Sequence, residues 1–195
     1  MRTLVVYCHP VPDSFCAAVR DTVLEALKDA QHETRLLDLY AMGFDPVMGC
    51  EERRLYNDMT KDQHPIPDQA AHLAWAEAIV FIYPTWWYGL PAMLKGWLDR
   101  VWTPEITFEI NKQSGVITPL MTHIQKLGVV TTCGAPRWWS YFVGHPGVRT
   151  LTRGMRALFA KRCKTVFLAH YLMDVSTPES RSVFLSKVYR KFRAF

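Results

Sequence analysis

Apolar positions along the chain recur with two periods, and the changes of period mark the elements. Residues 3–7 form a short β-branched run that predicts a strand, ended by the stiff turn Cys8-His9-Pro10-Val11-Pro12-Asp13-Ser14. Beyond it Phe15, Ala18, Val19, Val23, Ala26, Leu27 and Ala30 recur at three- and four-residue steps, laying one apolar stripe along a helix. Ser14 or Asp13 is placed to cap the free N–H groups of that helix. Residues 33–39 predict a second strand. Residues 78–83 are apolar without alternation, as expected of a strand covered on both faces, and run into Pro84-Thr85-Trp86-Trp87-Tyr88-Gly89. The next helix, over 90–102, carries Leu90, Leu94, Trp97, Leu98 and Val101 on one side. Residues 126–131 predict a fourth strand, followed by Thr132-Cys133-Gly134-Ala135-Pro136. A helix over 148–160 leads to a fifth strand at 165–169. A last helix opens on Thr177-Pro178, with cap and proline in the favoured order.

Strands alternating with helices predict an α/β fold, a parallel sheet wrapped on both faces, in one domain over residues 1–195. Residues 45–68 and 103–125 predict long excursions from the sheet, and loops of that length usually carry function or motion. Hydrophobic residues make up 49% of the 195, too many for disorder. A core of that size buries roughly 70% of the unfolded chain's surface, so neither disulfides nor metals are needed for stability. The five cysteines are scattered, with no C-x-x-C pair, and read as reduced thiols with no zinc site. The first residues lack a signal-peptide pattern, and no apolar run approaches the ~20 residues that cross a bilayer. A cytoplasmic protein, not integral to a membrane, is the expectation. The formal charge of +5 suits an anionic small ligand. The basic residues are spread along the chain apart from a cluster near the C-terminus, so nucleic acid is not expected as a partner.

In an open parallel α/β sheet, ligands bind beyond the C-terminal ends of the strands, where strand order reverses. Three segments fall there. Residues 9–15 precede a helix whose N–H groups and dipole can hold a phosphate, with His9 and Ser14 as further donors. Residues 84–88 supply three consecutive aromatics. Residues 131–136 supply two hydroxyls and a glycine for close backbone approach. A His-Pro-x-Pro turn by itself is only stiff, and three aromatics can be core. Burial explains poorly a run of polar-tipped aromatics and a glycine where a sheet stops. Together the segments describe a pocket for a flat, phosphorylated heterocycle. The absence of G-x-G-x-x-G after the first strand disfavours a Rossmann dinucleotide site, and the absence of G-x-x-x-x-G-K-[ST] disfavours a P-loop. Without a G-x-S-x-G elbow, a hydrolase triad built on His9 and Ser14 has little support.

Long motifs carry a family likeness. His9-Pro10-x-Pro12-Asp13-Ser14-Phe15, the phrase from Asp38 to Pro46, the run from Tyr83 through Tyr88-Gly89-Leu90-Pro91 to Val101, and Thr131-Thr132-x-Gly134 resemble the flavodoxin-fold NAD(P)H:quinone oxidoreductases. The resemblance implies a sheet of order 2-1-3-4-5, a tightly bound flavin, and a homodimer with two active sites at its interface. It implies that His9, Ser14, Phe15 and Cys16 hold the flavin's phosphate end and its surroundings. Pro84, Thr85, Trp86, Trp87 and Tyr88 would line the isoalloxazine ring, with Trp87 also facing the substrate. Thr131, Thr132 and Gly134 would contact the ring's polar edge. His145 falls at the family's active-site histidine. The family's catalytic tyrosine aligns with Trp139, with Tyr141 two residues on as a substitute. Phe108 and Ile110 stand where mammalian members have pocket tyrosines, and Cys16 stands where the family has asparagine. Thr177-Pro178-Glu179-Ser180-Arg181 resembles the stretch where FAD-binding members set an arginine against the adenylate, so FAD is expected, with FMN the alternative and Arg181 the contact.

The implied activity is two-electron, ping-pong reduction of quinones or related aromatic acceptors by NAD(P)H. The alternative is a flavin-binding regulatory or electron-carrier subunit, for instance an accessory protein of a membrane transporter. Carriers usually present an acidic face to redox partners, and this chain is basic. Seven tryptophans suit an interface core, with residues 105–121 and 187–192 as candidates for reaching a partner copy.

Overall fold

The computed structural model of the chain describes residues 1–57 and 64–195. Strand β1 (Arg2–Tyr7) leads to helix α1 (Phe15–Asp29) and strand β2 (Glu33–Asp38). Short helices α2 (Cys50–Leu55) and α3 (Pro67–Trp75) precede β3 (Ala78–Thr85) and α4 (Ala92–Val101). A hairpin of β4 (Phe108–Ile110) and β5 (Ile117–Pro119) comes before β6 (Lys126–Cys133). Helices α5 (Arg137–Val143) and α6 (Pro146–Arg149), strand β7 (Lys164–His170) and helix α7 (Pro178–Arg193) complete the chain. The main sheet is parallel throughout, in the order β2-β1-β3-β6-β7. With the hairpin set aside, this is the expected 2-1-3-4-5.

Alternation along the strands divides the core in two. Val5, Tyr7, Val80 and Ile82 meet Val19, Val23 and Leu27 of α1 and Phe184, Val188 and Phe192 of α7. Leu4, Val6, Ile79 and Phe81 meet Leu73 of α3 and Leu94, Trp97 and Val101 of α4 on the opposite face. Strands covered on both sides carry no polar alternation, which is why their apolar runs are continuous.

Strand β3 runs two residues beyond the predicted end, through Pro84, although it lies between β1 and β6. The reason is positional. Cys8 N–H donates to Ile82 O at 3.0 Å, so residue 82 faces β1. Backbone groups alternate along a strand, so Pro84 faces the same side. The ladder with β1 ends at the pair Tyr7–Ile82, so the proline's missing donor has no ladder bond to lose there. On its other side β3 stays paired with β6 as far as Thr85–Cys133. The result is a step at the C-terminal edge of the sheet: β1 turns away while β3 and β6 continue.

The predicted helix over 148–160 begins earlier, at Pro146, and does not stay α-helical. Residues Thr150–Gly154 form a π turn and Met155–Leu158 a tight 3₁₀ turn. Thr150 and Thr152 donate their hydroxyls back to Pro146 O at 3.0 Å and Val148 O at 2.8 Å, bonding that bends helices. The predicted excursions also hold structure of their own: α2 and α3 in the first, the β4–β5 hairpin in the second. Residues 58–63 of the first excursion lie outside the described residues. Arg100 of α4 ties α2 down, donating from Nε to both carboxylate oxygens of Glu52 at 3.0 Å.

Candidate active site

The step at the sheet edge opens into a cavity of about 720 Å³. His9 reaches it from the end of β1, Pro84 to Tyr88 from β3, Thr132 to Ala135 from β6, and Met173 and Asp174 from the loop after β7; Ser140 of α5 completes the wall. Of the residues predicted from sequence, His9, Pro84, Thr85, Trp86, Trp87, Tyr88, Thr132 and Gly134 come together here.

Each is held by a local device. His9 Nδ1 accepts the Val11 amide at 3.1 Å, since a backbone N–H can only donate, and this bond fixes the ring against its own turn. Thr85 and Thr131 join hydroxyls at 2.7 Å across adjacent strands, so the buried Thr131 steadies Thr85 from behind the wall. Trp87 and Tyr88 have φ of 48° and 64°, a left-handed pair closed by the Gly89 N–H on Trp86 O at 3.0 Å. Two positive-φ residues in a two-residue turn normally call for Asn-Gly. Aromatic residues there store strain, about 1–3 kcal/mol each, and leave Trp87 94% exposed over the cavity mouth. The turn is clamped by α6. Gly147 N–H donates to Tyr88 O at 3.3 Å, and a Cβ on Gly147 would stand 2.8 Å from the Gly89 carbonyl carbon. A Cβ on Gly134 would meet Asp174 Oδ2 at 2.6 Å, a side-chain end that can swing aside.

A second set surrounds the N-terminus of α1. Ser14 caps it, its hydroxyl oxygen accepting the Ala17 amide at 3.2 Å, and no acidic residue occupies the first turn to oppose an anion. Phe15 stacks edge-on against His170 at 5.2 Å between ring centroids, and the Arg181 guanidinium lies 5.9 Å from the Phe15 ring. Arg181 Nε donates to Ser176 Oγ at 2.8 Å. His170 is buried, and its Nδ1 has no hydrogen-bond partner among the described residues. Burial, and next Arg181, hold that imidazole below the ordinary histidine range. Cys16, by contrast, turns into the core, where burial pushes its thiol up to about 12. Its side chain is thus inert packing.

The remaining predicted residues stand apart from the cavity wall. His145 has φ of 48°, and its ring sits among Tyr141 at 5.0 Å, Phe167 at 5.7 Å and Tyr171 at 5.9 Å between centroids. Its Nε2 is 3.3 Å from Tyr171 Oη. Burial, then Arg149, lowers the His145 pKa, while burial, then Cys133 and Tyr141, pushes the Tyr171 phenol up to about 12 against a pull from Arg137. Both groups are therefore neutral near pH 7, and with the phenol donating, the imidazole proton sits on Nδ1. Trp139 donates from Nε1 to Tyr88 Oη at 2.7 Å. Phe108 lies half-buried in the β4–β5 hairpin and does not line the cavity.

Ser140, Met173, Asp174 and Tyr171 were not anticipated. The rule that ligands gather beyond strand ends applies to β7 as well, and reading the segment after it would have found the last three. Ser140 had no such signal, because α5 is an aromatic run of seven residues without a readable period. Among the described residues no three His, Cys, Asp or Glu side chains converge as a metal site, no helix is long and apolar enough to cross a membrane, and the five cysteines are unpaired.

The doubly wound sheet with its cavity at the β1/β3 reversal defines the class, and the chain belongs to the flavodoxin-like fold family, whose model matches residues 1–194. Particular relatives narrow the neighbourhood. A ribosyldihydronicotinamide dehydrogenase-like protein of Penicillium crustosum is 32% identical over 121 residues, 53% of this chain and 44% of the relative. An uncharacterised NAD(P)H oxidoreductase of Escherichia coli is 34% identical over 108 residues, 55% of each. The matches thus span about half the length of these relatives. Among solved structures, the NAD(P)H:quinone oxidoreductase from Methanothermobacter marburgensis superposes with a TM-score of 0.84 at 26% identity, covering 99% of this chain and 98% of that one.

Proposed function

We propose that this protein is a flavin-dependent NAD(P)H oxidoreductase that reduces quinones or related aromatic acceptors. The observation that carries the reading is the joint occurrence, at one sheet edge, of an acid-free helix N-terminus and an aromatic-walled cavity of about 720 Å³. That volume is within the range of small-molecule and cofactor pockets. Donors for a phosphate lie at one end of the site, in the α1 N–H groups and the Ser14 hydroxyl. Trp86, Trp87 and Tyr88 form a wall for a flat ring at the other. The names of the relatives support the same reading.

In its mechanism, α1 and Ser14 bind the phosphate end, and Arg181 with Phe15 favours FAD over FMN by offering a cation and a ring to an adenylate. Thr85, backed by Thr131, and Thr132 with the Gly134 amide orient the polar edge. When bound, the flavin supplies two-electron hydride transfer from NAD(P)H to the acceptor in ping-pong order. Trp87 stands at the mouth as a wall for the flat ring. His145, neutral with Nδ1 as its donor, steadies the negative charge that develops during transfer, with Tyr141 beside it. A homodimer completes the account, since Trp87, Trp138 and Phe142 are 94%, 68% and 78% exposed in the single chain and would be covered by a second copy.

Steady-state oxidation of NADH and NADPH with a soluble quinone tests the proposal. Quinone-dependent turnover with at least one nucleotide is expected. Flavin-loaded protein that turns over with neither would instead favour the regulatory-subunit reading.

A further inference from the structure

Trp139, just behind the cavity wall, meets Tyr88 of that wall, the indole Nε1 lying 2.7 Å from the phenol oxygen. An indole N–H only donates, so Tyr88 Oη is the acceptor, and the phenol's own proton is left for another partner. No other group among the described residues hydrogen-bonds that hydroxyl. Two other polar side chains of the same cavity are engaged elsewhere: His9 Nδ1 by the Val11 amide, and the Thr85 hydroxyl by Thr131. The backbone that presents Tyr88 is over-determined. Its φ of 64° follows another positive φ at Trp87, and the α6 clamp through Gly147 holds both in place. Strain of this kind persists where a side chain must be delivered to one spot.

We propose that Tyr88, aligned by Trp139, is the specificity-determining hydrogen-bond donor to the oxygen of a carbonyl-bearing aromatic acceptor. The inference rests on the oxidoreductase reading above and names the acceptor class within it. A slot walled only by aromatics holds any flat ring about equally well. A directed O–H donor in that slot favours the ring that offers an acceptor oxygen, because the analogue without one leaves the donor unpaired. Trp139 is the positioning residue. Its N–H fixes the rotation of the phenol and, by donating to the oxygen, polarises the O–H into a stronger donor.

The test compares binding of naphthoquinone with that of naphthalene, which has the same rings without the oxygens. Dissociation constants are read from fluorescence quenching of the protein as purified, without NAD(P)H. Tyr88→Phe should bind naphthoquinone about fivefold more weakly, the size of one neutral hydrogen bond, and leave naphthalene unchanged. Trp139→Phe should weaken naphthoquinone roughly twofold in the same selective way, as expected for loss of polarisation and alignment alone. If Tyr88→Phe fails to fold, the selectivity of Trp139→Phe decides. Naphthoquinone binding unchanged in both variants overturns the proposal. So does equal weakening of both probes, which would mean the pair is merely structural. Wild-type turnover of NAD(P)H with naphthoquinone is read in parallel. Its absence beside an intact fivefold ratio would sink the reductase reading and leave Tyr88 as a recognition residue; turnover without the ratio would do the reverse.

Discussion

His145 pairs with Tyr171 through Nε2; the family likeness picked out His145, but not this pairing. A histidine in a loop advertises nothing by itself, and the tyrosine 26 residues later that shares its proton is invisible without the fold. The neutral His145 donor should matter only while charge develops. His145→Ala should therefore retain flavin and slow its reduction by NAD(P)H about tenfold or more in stopped flow. An unchanged rate would make the imidazole a bystander that only packs on Tyr171. Trp87 has the opposite profile. It is exposed and strained, so replacing it with Asn, which tolerates positive φ, should stabilise the ligand-free chain by up to about 1 kcal/mol in urea unfolding. The same change should speed flavin loss by removing part of the ring wall. A Trp87→Asn protein that is less stable and holds flavin as well as wild type would contradict both halves.

Among the elements, the five central strands and the helices with long amphipathic stripes were legible because burial on two faces and a 3.6-residue period leave an unmistakable trace. The helices of six to nine residues were not, since one or two turns fix no period. Strand β3 was read two residues short for a sound local reason, a proline, that is cancelled by a tertiary fact, the earlier departure of β1. The cavity depends on that step and on the clamp between the Trp86–Gly89 turn and α6. Gly147→Ala places a Cβ 2.8 Å from backbone that cannot swing aside. It should cost about 1–3 kcal/mol in denaturant unfolding and loosen the flavin together with the turn. A neutral effect on both would mean that the clamp is not needed. The C-terminal helix was expected to reach toward a partner, yet Phe184, Val188 and Phe192 are buried against α1 and the sheet. The opposite side of that helix, with Lys187, Arg190 and Lys191, is the part left exposed to a second copy.

At the scale of the whole molecule, burial is the first cause at each of five imidazoles, His32, His64, His72, His145 and His170, that titrate below the ordinary histidine value. Between the folded and unfolded pKa values the unfolded chain binds more protons, so stability rises with pH through that window and is lost as pH falls below about 6.5. The melting temperature should hold steady from about pH 8 to about pH 7 and decline toward about pH 5. A melting temperature that rises on acidification would contradict the burial of these rings. The fold and most of the cavity wall could be read from motifs, because ligand position follows from strand ends. Tyr171 and its bond to His145 could not, because that bond joins residues from different loops. The central claim is tested most directly by the visible spectrum of the purified protein. The account predicts flavin bands that NADH or NADPH bleaches and a quinone restores. A colourless protein that takes up neither FAD nor FMN when offered them would contradict it.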